Sequence, residues 1–284
     1  MTAASRRRTL PRPRRSGQTP WAALRPALLT IAAIVCLIPI FVVVGLAFRP
    51  LTTSSTRGMS LESFAYVLSD TNLLVWLRNS LVATLAATLI SVMVAAPAGY
   101  VISRGRSRAV SAFSLGIFVV QALPVVIFVI PLFILFSRVQ LVDSLVGVTI
   151  IYVASSLTVA TWMMAAYFDS IPSSLEEAAW IDGCSIFGGF VRIVLRNSLP
   201  GVLSTAIYAF LLAWNDYLIA LVFLRTDSHF TLPIGLQTFF QQNATDWGPV
   251  MASAVVMMTP PIIIFALLNR YFSVGGIGGS LAGQ

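Results

Sequence analysis

Ser173-Ser174-Leu175-Glu176-Glu177-Ala178-Ala179-Trp180-Ile181-Asp182-Gly183 heads a polar segment that runs on to Pro200. Long apolar runs flank it on both sides, yet it carries Glu176, Glu177, Asp182, Arg192 and Arg196. Most connections between helices are short, so a charged segment of this length needs a reason. Ser173 stands three residues before Glu176, and Ser174 three before Glu177. Both pairs have the capping-box spacing, in which a hydroxyl and a carboxylate satisfy the free N–H groups of a helix start. Pro172 lies just upstream, and both glutamates fall in the first turn, where the helix dipole favours negative charge. Leu175, Ala178, Ala179 and either Ile181 or Asp182 complete one short helix. Gly183 is predicted to end it in the left-handed conformation. A second helical stretch follows, with Phe187, Phe190, Val191, Val194 and Leu195 as its apolar points. The prediction is helix, glycine break, helix, lying outside a bilayer between two spans.

The rest of the chain is greasy. Of 284 residues, 57% are hydrophobic and 10% charged, and the mean hydropathy is +0.88. Soluble domains carry roughly 25% charged residues. This composition predicts an all-α integral membrane protein with one domain of several helices. Cys36 lies in an apolar run and Cys184 in the polar segment, so a disulfide between them is not expected, and no zinc-ligand spacing occurs. His229 is the only histidine. Metal chemistry and Ser-His-Asp chemistry have almost nothing to work with.

Six apolar runs are predicted to span. Residues 27–48 form the first, long enough for a ~30 Å hydrocarbon core and without a convincing cleavage site, so it should remain as an anchor. Residues 60–68 predict a short amphipathic helix. The later spans are predicted at 79–102, at 110–136 (broken by Pro124 and Pro131), at 144–167, at 200–224 and at 249–271 (with Pro260 and Pro261). Residues 1–26 hold seven arginines and four prolines without apolar periodicity. They read as a disordered basic arm that serves as a topogenic signal and can touch anionic lipid headgroups. No aromatic residue interleaves the arginines at 6–15, which speaks against nucleic acid. Residues 273–284 read as a flexible glycine-rich tail with no Walker signature.

All 18 basic residues are arginines. With the amino terminus inside, thirteen of them fall on inner segments and five on outer ones. The positive-inside rule therefore predicts that both termini and the polar segment 169–199 are cytoplasmic. The net charge of +8 is thereby explained by topology.

Glu177-Ala178-Ala179, three further residues to Gly183, and nine more to Ile193 and Leu195 together resemble the coupling motif of permease subunits of ATP-binding-cassette importers. Arg196 stands where that family's motif ends in proline. Further likenesses are to the maltose-type sugar permeases. They are Asn79-Ser80-Leu81, Gly99-Tyr100-Val101-Ile102-Ser103-Arg104, Pro131-Leu132-Phe133, Asp169-Ser170-Ile171-Pro172 and Trp214-Asn215-Asp216-Tyr217. Thr158 replaces a proline common among such relatives, and Val142-Asp143-Ser144 departs from their usual turn. The resemblance implies a type I importer permease of six transmembrane helices over 27–272, in the cell membrane of a prokaryote. It implies an ATPase-coupling site of Glu176, Glu177, Ala178, Ala179, Asp182 and Gly183. The implied partners are a second permease, two copies of an ATP-binding subunit, an extracytoplasmic solute-binding protein, membrane lipid and a sugar substrate. The chain itself would bind no cofactor and catalyse nothing, since ATP and Mg would sit on the partner ATPase.

Asp216 is the one acid well inside an apolar run. A charge at mid-bilayer costs about 2.5–3.5 kcal/mol on insertion scales, so it should face a cavity or a partner group. With Trp214 and Asn215 it forms a candidate translocation-path site, or else a structural clamp between helices. Gln121 and Tyr152 are further candidates for lining a path. A competing reading is a secondary transporter that uses Asp216 for ion coupling. Such carriers usually show an internal repeat or several buried ionisable groups, and neither is visible here.

Overall fold

A computed structural model describes residues 20–51, 58–240 and 245–276. Residues 1–19 of the expected arm 1–26 and residues 277–284 of the expected tail 273–284 lie outside the described residues, within which every regular element is helical, and residues 20–26 and 273–276 belong to helices instead of to an arm and a tail. Helix α1 spans Pro20–Ala47, so it begins upstream of the predicted apolar run. The short amphipathic helix appears as α2, Glu62–Ser69, which buries Ser63 and Val67. Helix α3 runs from Leu73 to Arg104, longer at both ends than the predicted span.

The predicted third span is two helices, α4 (Arg108–Ala122) and α5 (Val125–Arg138), which meet at 94°. Pro124 is the N-cap residue of α5, where its missing N–H costs nothing, whereas Pro131 sits inside α5 without interrupting it. Helix α6 covers Leu145–Asp169. The polar segment contains α7 (Ser174–Ile181), α8 (Ile186–Gly189), a π-helical turn at Phe190–Val194, and α9 (Leu195–Asn197). A 78° bend at Ser198 then opens α10, Leu199–Trp214, with Pro200 in its first turn. The bend lies beside Pro200, whereas Arg196, in place of the motif's proline, continues the helix.

The fifth span differs from expectation. It stops at Trp214 instead of running to residue 224, and the chain resumes as α11, Leu218–Phe223. The break exists because the Asp216 carboxylate competes with the helix for backbone N–H groups, as short acidic side chains do. A 3₁₀ turn at Asp227–His229 and α12 (Leu232–Gln237) follow, and α13, Trp247–Gly276, closes the described chain. Pro260 and Pro261 lie inside it. Among the described residues, four helices are individually long and apolar enough to cross a bilayer, and two bent pairs bring the number to six if each is one span.

Helices α3 and α6 pack along their length through small residues, among them Ala87, Ala95, Ala96 and Ala160. Gly99 marks the closest approach: a Cβ there would lie 2.7 Å from the Cβ of Met164 and 2.9 Å from the Ala165 nitrogen. Helix α10 leans on both, with Gly201 directly under the Tyr167 ring. Helix α1 packs along α13. The most apolar window of α1 is otherwise wholly exposed.

Candidate functional site

The polar segment folds on its own local rules at one point and on a distant partner at another. Gly183 has φ +88° and ends α7 as its sequence predicts. Its N–H donates to the Trp180 carbonyl at 3.0 Å, and the Cys184 N–H donates to the Ala179 carbonyl at 2.9 Å. These paired bonds satisfy carbonyls that the helix end leaves free. The predicted capping box is absent. Ser173 makes no side-chain bond to the helix start, whose N–H groups at Glu176 and Glu177 bond its backbone carbonyl instead.

Glu176 is unavailable for capping because a guanidinium holds it. The side chain is 1% exposed, and the Arg104 Nη2 lies 2.7 Å from its Oε1. Arg104 Nε donates to the same oxygen at 2.8 Å, and the Tyr100 hydroxyl donates to Oε2 at 2.6 Å. Arg104 also donates through Nη2 to the Ile171 carbonyl at 3.0 Å and through Nη1 to the Ser103 hydroxyl at 3.1 Å. The Ser103 hydroxyl in turn donates to Asp169. The end of α3 thus grips the segment at its first residue and again on α7. Removing such a carboxylate from water is costly, and only a paired, hydrogen-bonded geometry offsets it. From sequence, Arg104 reads as a topology charge and Tyr100 as part of a family likeness. Their pairing with Glu176 spans more than seventy residues, beyond the reach of local spacing.

Apolar packing completes the grip. Phe190, in the π-helical turn, lies 4.7 Å ring to ring from Tyr100 and 6.0 Å from Phe168. Gly189 lets the Trp180 indole approach, since a Cβ there would meet Nε1 at 3.0 Å. Outward, the segment presents a different surface. Glu177, Ala178 and Asp182 are exposed, as is Gly183 at the turn, while Ala179 is buried. Ile181 is 86% exposed and Phe187 74% exposed, and Ile186 beyond the glycine break is exposed as well. Adjacent glutamates have therefore separated into a buried anchor and an exposed charge.

The second candidate group has a structural geometry. Trp214 is buried, stacks on Phe210 at 5.5 Å, and donates from Nε1 to the Met257 carbonyl of α13 at 3.2 Å. Asn215 is exposed and donates to the Leu211 carbonyl. Asp216 accepts from the N–H groups of Ile219 (3.4 Å) and Ala220 (3.0 Å) at the start of α11. It also accepts from the Tyr152 hydroxyl at 3.0 Å. Tyr152 is thereby committed to Asp216, while Gln121 lines a cavity beside the α4–α5 elbow.

At the opposite end of α3 and α6 a second polar knot forms. Asp143, in the left-handed region at φ 56°, accepts from the backbone N–H groups of Arg225 (2.8 Å) and Thr226 (3.0 Å), and from the Thr226 hydroxyl. His229 Nδ1 stands 3.3 Å away. Burial pushes the Asp143 carboxyl up, but these hydrogen bonds outweigh it and hold it well below the usual carboxylate range. Asn79 is buried and donates to the carbonyls of Ser228 and Phe230, while the Ser80 hydroxyl accepts from the Leu232 N–H.

Known proteins share this sequence and this fold. The chain is 33% identical over 208 residues to the inner membrane ABC transporter permease protein YcjP of Escherichia coli (strain K12), covering 73% of this chain and 74% of that protein. It is 30% identical over 262 residues to the trehalose/maltose transport system permease protein MalG of Thermococcus litoralis, covering 89% and 94% respectively. Its fold is similar to a solved bacterial ABC transporter involved in the import of the acidic polysaccharide alginate. That match has a TM-score of 0.76 at 22% identity, and covers 93% of this chain and 100% of that one. Residues 87–274, which include the whole polar segment, match one family over most of the chain. The chain belongs to the binding-protein-dependent transport system inner membrane components.

Proposed function

We propose that this chain is the six-span permease subunit of an ATP-driven importer for a di- or oligosaccharide, and that segment 169–199 couples it to a cytoplasmic ATPase. Members of the family are transport subunits, not enzymes, and hydrolysis belongs to a separate subunit. The observation that carries the reading is the division of the segment into two faces. One face is fixed to α3 through Arg104, Glu176 and Tyr100. The other offers Glu177, Ile181, Ile186 and Phe187 to a partner. Exposed apolar side chains rimmed by charge suit a docking surface.

In this mechanism two ATP-binding subunits close on ATP and Mg, which this chain does not hold. Their motion reaches α7 through contacts at Glu177, Ala178 and Asp182, with the chain reversal at Gly183 keeping α7 and α8 in one shape. Glu176 is a positioning residue: its ion pair passes displacement of α7 to α3 without contacting the ATPase. Ala179 packs inward and lets α7 sit close. A second permease closes the path, and a solute-binding protein delivers the sugar on the outer side. Both termini lie in the cytoplasm, the basic arm and tail flank the domain 27–272, and the complex sits in a prokaryotic cell membrane. Alternating access is then a population shift driven by differential binding. Support for sugar as cargo comes from the trehalose/maltose relative. Trp214 and Asp216 hold the break between α10 and α11 beside the path, with Asn215 exposed at the turn.

Co-purification tests the coupling reading. Gly183→Pro removes the Gly183 N–H bond and imposes a φ near −65° where the chain needs +88°. The tagged wild type should retain the ATPase subunit and the companion permease, while the variant should keep the permease and lose the ATPase. A wild type that purifies alone and moves solute without ATP refutes the importer.

A further inference from the structure

Helix α13 carries two consecutive prolines, Pro260 and Pro261, well inside it. Neither has an N–H, so the carbonyls four residues earlier, on Val256 and Met257, lose their ladder donors. Prolines are tolerated in spanning helices where a neighbouring helix supplies the missing bond. For Met257 the supplier is Trp214. Its indole, at the end of α10, donates from Nε1 to that carbonyl at 3.2 Å. Trp214 is buried, and Phe210, one turn back, stacks against it with the two rings 13° from parallel. The indole is a donor only, with one N–H to give, and it gives it to the carbonyl that Pro261 leaves free.

The two halves of α13 on either side of this bond are held differently. Before it, Val250 and Ala252 are buried, and Gly248 lies so close to α2 that a Cβ would stand 2.3 Å from the Ser63 hydroxyl. Beyond it, Ile262, Ile263, Phe265 and Leu267 are exposed. From Pro261 onward an apolar groove of about 350 Å³ runs between α13 and α10, walled by Ile207, Phe210 and Leu211 on one side and by Pro261, Ile262 and Phe265 on the other. The two helices are tied at the Trp214–Met257 bond and leave room between them past it. Prolines are where helices bend, so α13 has one packed half, a pivot, and one half with space beside it. Helix α10 in turn follows directly from the polar segment through the bend at Ser198. Asp216, two residues past Trp214, is bonded to Tyr152 of α6 and to the first turn of α11.

From this geometry we infer that Trp214 is a positioning residue for transport: its indole replaces the ladder bond that Pro261 removes, and so fixes the pivot of α13 to the end of α10. Displacement of the polar segment passes along α10 to this bond, and the half of α13 beyond the prolines turns about it. The direction in which movement travels rests on the importer reading above, whereas the exchange of one donor for another does not. That exchange separates the inference from packing. A tryptophan that only fills space is indifferent to what stands at 261. Pro261→Ala returns a backbone N–H to the Met257 carbonyl, so in that background the indole N–H becomes dispensable.

A double-variant cycle tests this in the complete importer, reconstituted in liposomes with its companion permease, ATPase and binding protein. Maltose and trehalose serve as probes. Trp214→Phe keeps an aromatic ring and removes the N–H. In the otherwise unaltered chain it should lower sugar taken up per ATP hydrolysed threefold or more, and lower the unfolding temperature of the complex. In a Pro261→Ala background the same substitution should change both quantities less than half as much. Equal losses in the two backgrounds, or no loss in the first, overturn the inference and leave Trp214 as a packing residue. If Trp214→Phe alone does not assemble, assembly becomes the readout: Pro261→Ala should restore it, and a double variant that also fails to assemble overturns the inference. If Pro261→Ala by itself abolishes uptake, the cycle is read in unfolding temperature, with the same two outcomes. A wild type that moves neither sugar with ATP defeats the sugar-importer reading and the transport role built on it, while the donor exchange still stands or falls on the unfolding cycle.

Discussion

At the Arg104 end of the α3–α6 pair one guanidinium gathers the contacts, whereas at the opposite end one carboxylate does. Arg104 reaches Glu176, the Ile171 carbonyl and the Ser103 hydroxyl, and so binds side chains and backbone of the polar segment to α3. Asp143 instead collects backbone N–H groups of Arg225 and Thr226 with the Thr226 hydroxyl. The first knot is a buried ion pair between two helices, so it fixes α7 to α3. The second is a loop staple, sharing its load among several donors at a partly exposed site. The difference teaches where each end can tolerate change. Deleting one member of the ion pair strands a buried charge, while the staple loses its bonds one by one.

The largest effect is expected at Arg104. Arg104→Ala leaves the Glu176 carboxylate buried without its cation, and breaking such a pair costs about 3–5 kcal/mol. Glu176→Ala should cost less, because Arg104 is 24% exposed and can turn to water. The double variant Arg104→Met, Glu176→Leu should recover much of the loss. Thermal unfolding of the purified complex reads all three. A double variant no better than Arg104→Ala breaks the contrast between the two ends.

An intermediate effect is expected at Asp143. Asp143→Ala strands the N–H groups of Arg225 and Thr226, at about 1–3 kcal/mol. Hydrogen exchange of residues 223–232 should rise while that of α7 stays unchanged. The pH dependence has a fixed sign. The folded-state carboxyl is held below its unfolded value of about 3.9, so its stabilisation is complete above pH 4. It is lost as pH falls through the folded value. Protection of this loop that does not weaken as pH falls below 4 would contradict the staple.

The smallest effect is expected at Gly183. A Cβ there meets nothing within 4 Å, so Gly183→Ala bears only the cost of φ +88°, about 1–2 kcal/mol. Gly183→Asn should cost less than alanine, since Asn tolerates the left-handed region better. Equal losses would show that contact, not backbone conformation, keeps glycine at this position.

What the sequence made legible was what depends on neighbours along the chain. Gly183 ends α7 because only local backbone bonds are involved, and the amphipathic stretch near residue 62 forms α2, whose buried face its period reveals. Pro124 breaks the third span, but Pro131 does not, because only Pro124 stands where a new helix begins. The Ser173 capping box fails because Glu176 answers to a charge far upstream. Asp216 reads as an isolated acid in an apolar run, yet its partners are the N–H groups it frees by breaking the span and a tyrosine on another helix. Tertiary partners of this kind leave no spacing signature.

Site-specific cross-linking tests the two-faced coupling segment most directly. In a Cys36→Ser, Cys184→Ser background, Phe187→Cys and Phe190→Cys differ by three positions and by face: Phe187 is exposed and Phe190 buried. Assembled with its partners and treated with a short bifunctional thiol reagent, Phe187→Cys should yield a covalent adduct with the ATPase subunit, and Phe190→Cys none. No adduct from Phe187→Cys, in a complex that still imports its sugar at the expense of ATP, would contradict the assignment of this surface to the ATPase.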